Sequence, residues 1–339
     1  MLLINKENIY ILGIESSCDD TSASIIHNGK VLSNITATQV DHEKYGGVVP
    51  ELASRQHNTH IAVVVKEALD KAFITAKDLN AIAVTAGPGL MGSLLVGVSF
   101  AKSLAFGLQI PIIGVHHMHA HILAHFLQEP TPAFPFICLT VSGGHTQLVK
   151  VNAYNDMNIL GSTIDDAAGE AFDKTGKMMG LPYPAGQIID RMAENGKPNI
   201  SFSKSKMDGY DFSFSGFKTS VLYYLQAEVK KDPNYIEHNI NDLCASIQHG
   251  IIAMLTEKLI KVVNDTEIKR IAIAGGVSAN KGLRSELQKL ASLYGWELFI
   301  PDFQYCTDNA AMIGISGYFK YLDGIFDDQQ LVANPRLQF

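Results

Sequence analysis

The chain has 339 residues, 47% of them hydrophobic and 18% charged, with a formal net charge of -7. This is a globular composition, long enough for a sizeable core and two domains. The acidic balance argues against a chain that grips nucleic acid through its overall charge, so any such role needs a local patch or a partner subunit. The four cysteines, Cys18, Cys138, Cys244 and Cys306, are far apart and form no Cys-x-x-Cys pair. They give neither a zinc knuckle nor a disulfide framework and fit a reducing cytoplasm. The early apolar run, Ile9 to Ile14, is interrupted by Tyr10 and Gly13 and lacks a basic flank, so no signal peptide is expected.

Three antiparallel strands are expected first: Ile9 to Glu15, Ser22 to His27, and Lys30 to Ile35, the last two joined by the hairpin signal Asn28-Gly29. Between the first two lies a polar turn, Ser16-Ser17-Cys18-Asp19-Asp20-Thr21, which can face a phosphate or simply be a turn rich in residues that favour turns. After Gly46-Gly47-Val48-Val49-Pro50 comes a helical stripe of Ala53, Ile61, Val64, Val65, Leu69 and Phe73. Ala81 to Thr85 reads as a strand, and the glycines of Ala86 to Gly92 let backbone approach a ligand or another chain segment. They are not a P-loop, since no Gly-Lys-Ser/Thr ending follows. Leu90 to Leu108 reads as a buried or half-buried helix rather than a membrane span, because serines, glycines and Lys102 interrupt it.

A buried strand, Ile110 to Val115, then leads into His116-His117-Met118-His119-Ala120-His121 and an amphipathic segment, Ile122 to Leu127. His117 and His121 are one helical turn apart and can bind one metal ion. A histidine-rich helix start packed under a loop explains the pattern equally well.

The second half repeats the plan. Pro135 to Val141 is a strand, Ser142-Gly143-Gly144-His145-Thr146 a polar turn, Gln147 to Val151 a strand, and Asn158 to Ser162 a third. Helices follow, then a strand at Arg270 to Ala274, the turn Gly275-Gly276-Val277-Ser278-Ala279, a helix from Asn280, a strand at Glu297 to Ile300 and a last helix from Asp308. The repetition predicts two α/β lobes, residues 1–133 and 134–339, facing a central cleft, with a helical insertion around 165–240. In the insertion, Asp166, Glu170 and Asp173 share a helix face beside Lys174 and Lys177, as the helix dipole also favours. Phe212-Ser213-Phe214-Ser215-Gly216-Phe217-Lys218 could stack on bases or lie against the core. Asp308 is either an N-cap or a carboxylate that completes a metal site with His117 and His121.

These motifs, in this order and over essentially the whole chain, closely resemble the universal tRNA threonylcarbamoyladenosine synthase family, TsaD in bacteria. The carriers are Ile14 to Thr21, Ala86 to Gly92, His117 to His121, Val141 to Thr146, Asp166 to Lys174, Gly275 to Asn280 and Cys306 to Asn309. The resemblance implies the actin-like ATPase fold, of the ribonuclease H-like class, with two duplicated lobes. It implies transfer of a threonylcarbamoyl group from threonylcarbamoyl-AMP to N6 of the adenosine adjacent to the anticodon, in tRNAs reading codons that begin with A. It implies a divalent ion, iron in preference to zinc, on His117, His121 and Asp308. Ligand contacts carry over to Thr140, Val141, Ser142, Gly143, Gly144, Asp173, Gly186, Asp190 and Asn280. The implied partners are an inactive TsaB-like paralogue, a TsaE-like ATPase and tRNA, in the cytoplasm and without a membrane.

An activated mixed anhydride needs no covalent enzyme intermediate, and no clear nucleophile triad is present. Glu15 and Asp19 are the candidates for steering the amine. Lys204, Lys206, Lys218, Lys281 and Arg284 are candidate tRNA contacts, or ordinary solvated charges. A secreted metallo-endopeptidase is disfavoured, because Met118 stands where His-Glu-x-x-His has its glutamate. A sugar kinase or chaperone-type ATPase would share the fold but use magnesium-ATP, and a nucleotide-binding scaffold would need no histidine pair. The helix around Leu90 to Leu108 could pack on a partner or belong to the core.

Overall fold

The computed structural model describes residues 8–39, 42, 45 and 47–339, so Gly46 of the expected glycine pair lies outside the described residues. The chain forms two compact units, Met1–Thr131 with Pro301–Phe339, and Pro132–Ile300. The sequence had placed residues 301–339 with the second lobe. They lie in the first unit, and the reason is a helix fitted to its sheet, described below.

The first unit is built on a five-stranded sheet in the order β3-β2-β1-β4-β5. Its strands are β1 (Tyr10–Glu15), β2 (Asp20–His27), β3 (Lys30–Thr38), β4 (Ala81–Gly87) and β5 (Ile112–His116). β1, β2 and β3 run antiparallel, while β4 and β5 lie parallel to β1 in sequence. Asn28 and Gly29 both have positive φ, 48° and 80°, as the two-residue hairpin demands. Because successive side chains of β1 alternate, Leu12 and Ile14 enter a core with Ile61, Val64, Val65 and Val98. These come from α1 (Pro50–Lys71) and α2 (Met91–Leu108). Ile11 enters a different core with Ala83 of β4, Ala120 of α3 (His117–Leu123), and Ala311 and Met312 of α9 (Ala310–Leu322). Phe73, expected in the stripe of α1, falls beyond the helix end with φ of 56° and is 95% exposed. The glycines at the start of α2 serve chain packing: a Cβ on Gly89 would meet Ser17 O at 2.5 Å.

The second unit repeats the sheet order as β10-β9-β6-β7-β8. β6 (Phe136–Val141), β7 (Thr146–Ala153) and β8 (Asp156–Ser162) are antiparallel; β9 (Arg270–Ala274) and β10 (Glu297–Phe299) add parallel strands. Between β8 and β9 come α4 (Ala168–Met178), α5 (Gly186–Ala193), α6 (Ser215–Val229) and α7 (Tyr235–Thr266); α8 (Lys281–Tyr294) joins β9 to β10. Their apolar faces share one core, with Phe172, Phe212, Phe214 and Phe217 buried in it.

α9 lies unusually close to the first sheet. A Cβ on Gly13 would come within 2.4 Å of Ala310 O and 2.7 Å of Gly314 N. A Cβ on Gly317 would come within 2.3 Å of Ala83 Cβ. Only glycine at these faces permits the helix to sit there. Gly13→Ala therefore presses on backbone that cannot rotate away, and is expected to cost roughly 1–3 kcal/mol. The urea midpoint should fall without a change in slope; an unchanged midpoint would show that the contact is looser than described.

Candidate metal centre

The site in the first unit is assembled at the ends of β1, β4 and β5. β5 ends in His116, whose Nδ1 accepts hydrogen bonds from Met118 N at 3.2 Å and His119 N at 3.4 Å. This side chain therefore caps the short helix α3. His117 and His121, four residues apart, share one face of α3, while Met118 is buried in the core. At the start of α9, Asn309 Oδ1 accepts from Met312 N at 3.1 Å. The cap is thus Asn309, one residue later than expected, and Asp308 is left to face the histidines.

Asp308 Oδ1 lies 3.1 Å from His121 Nε2 and 3.5 Å from His117 Nε2. One ligand atom from each of the three residues falls within 4.8 Å of the others. Two imidazoles and one carboxylate suit a divalent transition ion and leave coordination positions open. The field agrees. Burial alone would lower the His117 pKa, yet the carboxylates of Asp308 and Glu15 push it up to about 9. Negative potential that attracts a proton also attracts a cation. Asp20, on the neighbouring strand, is pushed up to about 7, first by burial and then by Asp308.

Glu15, one of the two candidates for steering the amine, is enclosed by its neighbours. It is 0% exposed. Its Oε1 accepts from Ser17 N at 2.5 Å, and its Oε2 accepts from the Thr85 hydroxyl at 2.7 Å and faces His117 Nδ1 at 3.0 Å. Asp19 is half-buried in the β1–β2 turn and is the more accessible of the two candidates. The turn is held from behind by His57 of α1, which bonds Thr21 Oγ1 at 2.8 Å and Cys18 O at 2.9 Å. Thr85 and His57 were not singled out in the sequence, while Ser17 and Asn309 stood there only as members of motifs with no role of their own.

The second unit groups most of the expected ligand contacts. The β6–β7 turn follows Thr140 and Val141; Ser142 N donates to His145 O at 2.8 Å, and His145 N to Ser142 Oγ at 3.1 Å. Gly143 and Gly144 are exposed, and a Cβ on either would meet nothing within 4 Å. The turn after β9 comes close, since a Cβ on Gly275 would lie 2.5 Å from Val141 O. The other expected contacts hold the frame. Asp173 Oδ1 accepts from Ala185 N at 2.8 Å and Gly186 N at 3.3 Å, and its pKa is raised because burial outweighs those bonds. Asp190 accepts from Lys281 N at 3.0 Å and Gly282 N at 3.3 Å. Asn280 Oδ1 caps α8 through Leu283 N at 2.8 Å, while its amide donates to Gln248 Oε1 at 2.8 Å.

The aromatics of 212–217 are buried and cannot stack on bases. Lys218 pairs with Asp166, Lys281 with Glu194 at 2.7 Å, and Arg284 Nε donates to Ser278 O at 2.7 Å. Lys204 and Lys206 are exposed.

Comparison with known proteins is consistent over the whole chain. The profile of the tRNA N6-adenosine threonylcarbamoyltransferase family, TsaD, matches residues 30–315. The tRNA N6-adenosine threonylcarbamoyltransferase of Christiangramia forsetii is 58% identical over 99% of this chain and 100% of its own length. That of Clostridioides difficile is 48% identical over 98% of each chain. Two solved structures share the fold at 14% identity. HypF of T. kodakarensis superposes with a TM-score of 0.64 over 96% of this chain and 49% of its own. The activator of 2-hydroxyisocaproyl-CoA dehydratase from Clostridium difficile gives 0.53 over 93% and 97%. Both are actin-like ATPase-fold proteins, and that is the fold of this chain.

Two outcomes are expected. Zn2+ or Fe2+ at 100 times its dissociation constant should stabilise the protein by about 2.7 kcal/mol, seen as a rise in Tm that His121→Ala and Asp308→Ala abolish. An equal rise in the variants would place the ion elsewhere. Burial, its largest influence, lowers the His57 pKa below the ordinary 6.5 despite the Cys18 carbonyl. The unfolded chain therefore binds a proton that the folded chain refuses, so this contribution is present above about 6.5 and lost as pH falls below it. Between pH 7 and 5 the Tm of wild type should fall more than that of His57→Gln; parallel curves would remove His57 as a cause.

Proposed function

The chain belongs to the tRNA N6-adenosine threonylcarbamoyltransferase family, TsaD, and from that membership we propose how its residues share the work. The reaction moves the threonylcarbamoyl group from threonylcarbamoyl-AMP to N6 of the adenosine beside the anticodon. A new N6–C bond forms, the C–O bond to the phosphate breaks, AMP leaves and N6 gives up a proton. The exocyclic amine is a poor nucleophile because its lone pair is drawn into the ring. The activated anhydride compensates, so the enzyme has to bind, orient and stabilise charge.

The observation that carries this reading is the convergence of His117, His121 and Asp308 within 4.8 Å in a chain whose relatives match it end to end. A divalent ion there, iron in preference to zinc, would supply Lewis acidity toward an oxygen of the donor. The open amides of Gly143 and Gly144, with Ser142, take the donor's phosphate or carbamoyl oxygen as charge develops. Thr140 and Val141 end the strand that carries this turn. Asp173, Gly186, Asp190 and Asn280 keep the surrounding helix starts in place. Asp19 steers the amine. Lys204 and Lys206 meet the tRNA backbone, a positioning contact that compensates locally for the net negative charge.

The partners of this reading are an inactive TsaB-like paralogue and a TsaE-like ATPase, in the cytoplasm. α2 is long and apolar enough to cross a membrane by length and composition. Its inner face, however, packs on the first sheet, and Lys102 donates to Leu331 O at 3.0 Å. Its outer face exposes Met91, Leu95 and Phe106, and α1, which packs against it, exposes Val63. An apolar strip of this kind suits a protein partner.

The test is transfer of radiolabelled threonine to unmodified tRNA from pre-made threonylcarbamoyl-AMP, with the partners present. Label should appear with wild type and fall at least about 100-fold in His117→Ala and Asp308→Ala, of the order seen for loss of one charge-stabilising group. No label, together with magnesium-dependent ATP turnover by the chain alone, would sink the transferase reading. Leu95→Glu should weaken binding of the TsaB-like partner by roughly 10- to 100-fold and leave metal binding intact; unchanged partner binding would clear the α1–α2 face of that role.

A further inference from the structure

Glu15 is a carboxylate with no route to solvent, and every group placed against it can donate. Burying such a charge is costly unless donors fill its lone pairs. Sheet geometry supplies them. In β1, residues 11, 13 and 15 share the face that meets α9, and in β4 residues 81, 83 and 85 do so. The parallel register pairs Ile11 with Ala81 and Gly13 with Ala83, and one more step places Thr85 beside Glu15. The Thr85 hydroxyl reaches Glu15 Oε2 at 2.7 Å, and Ser17 N reaches Oε1 at 2.5 Å. The remaining contact of Oε2 is His117 Nδ1 at 3.0 Å.

An ionised carboxylate only accepts. A neutral, ligating His117 therefore keeps its one proton on Nδ1, which also lies 3.2 Å from Ser17 Oγ, and leaves Nε2, 3.5 Å from Asp308, to meet a cation. His121 is held differently: its Nδ1 is buried with no hydrogen-bond partner among the described residues. We propose that Glu15, backed by Thr85 and Ser17 N, is a positioning residue that fixes the tautomer and ring orientation of His117, making His117 the prearranged ligand of the pair. This rests on the reading of His117, His121 and Asp308 as a metal site. The isosteric Gln is a poor substitute, because its NH2 group must point either at the Ser17 amide or at the Thr85 and His117 donors.

Zn2+ serves as a diamagnetic probe in the full-length protein. Affinity is measured by chelator competition, and the imidazole nitrogens of the Zn2+-loaded protein are read by 15N NMR. Wild type should show His117 bound through Nε2, with a hydrogen-bonded Nδ1–H. Glu15→Gln should bind Zn2+ about 10- to 100-fold more weakly, with that Nδ1–H signal shifted or lost. Glu15→Asp keeps the charge and should recover part of the affinity. Zn2+ on His117 Nδ1 in wild type overturns the inference without needing any variant to fold. So does equal affinity in Glu15→Gln. If wild type binds Zn2+ no better than His121→Ala does, the metal-site reading itself fails, and this inference with it.

Discussion

The closeness of α9 to the first sheet governs where Asp308 can be. Gly13 on β1 and Gly314 on α9 leave no room for a side chain between helix and strand. Two residues before that helix, Asp308 is thereby carried to the histidines of α3, a helix fixed to the end of β5. Asn309 takes the capping duty and frees the carboxylate. A glycine contact, a cap and a strand end thus act as one positioning device for three side chains that are about 190 residues apart in the chain at most.

A second constraint is the alternation of β1. Its even positions fill an apolar core under α1 and α2, and its odd positions run Ile11, Gly13, Glu15 toward α9. The same two-residue period that buries Ile11 delivers a carboxylate to His117 and a glycine to the helix. The second unit uses the repeated sheet order for a different purpose. Its hairpin turn is open at Gly143 and Gly144, and nearby acidic and amide side chains hold the surrounding helix starts. One architecture therefore yields a cluster of two histidines and a carboxylate in the first unit and an open glycine turn in the second.

Much of this was legible in the sequence. Hairpin strands announce themselves by alternation and by Asn28-Gly29. The histidine pair is visible because a helix turns once in four residues. The repeated strand–turn–strand opening predicted two α/β lobes, and the family resemblance supplied the actin-like fold class. What escaped has physical reasons. Thr85 meets Glu15 only through a parallel register between strands 70 residues apart, and no local pattern encodes a register. The segment 212–217 alternates aromatics with serines, which a core edge and a base-stacking surface both allow; burial decided for the core. Asp308 and Asn309 are both good caps, so their order could not be settled from residue type. The homing of residues 301–339 to the first unit depends on tight helix–sheet contact, and glycines in a helix do not reveal which sheet they will meet.

That discontinuity has a consequence for biosynthesis. The first unit begins at Met1–Thr131 and is completed by Pro301–Phe339, while the second is one continuous stretch. A ribosome delivers the chain from its start. The first sheet must therefore wait, with the face meant for α9 uncovered, until all of Pro132–Ile300 has been made. The apolar residues on that face, Ile11, Ile26 and Ala83 among them, are the surface a nascent chain has to keep from aggregating. The cluster of His117, His121 and Asp308 is complete only when residue 308 has emerged. Assembly of this cluster is thus timed to the last moments of translation.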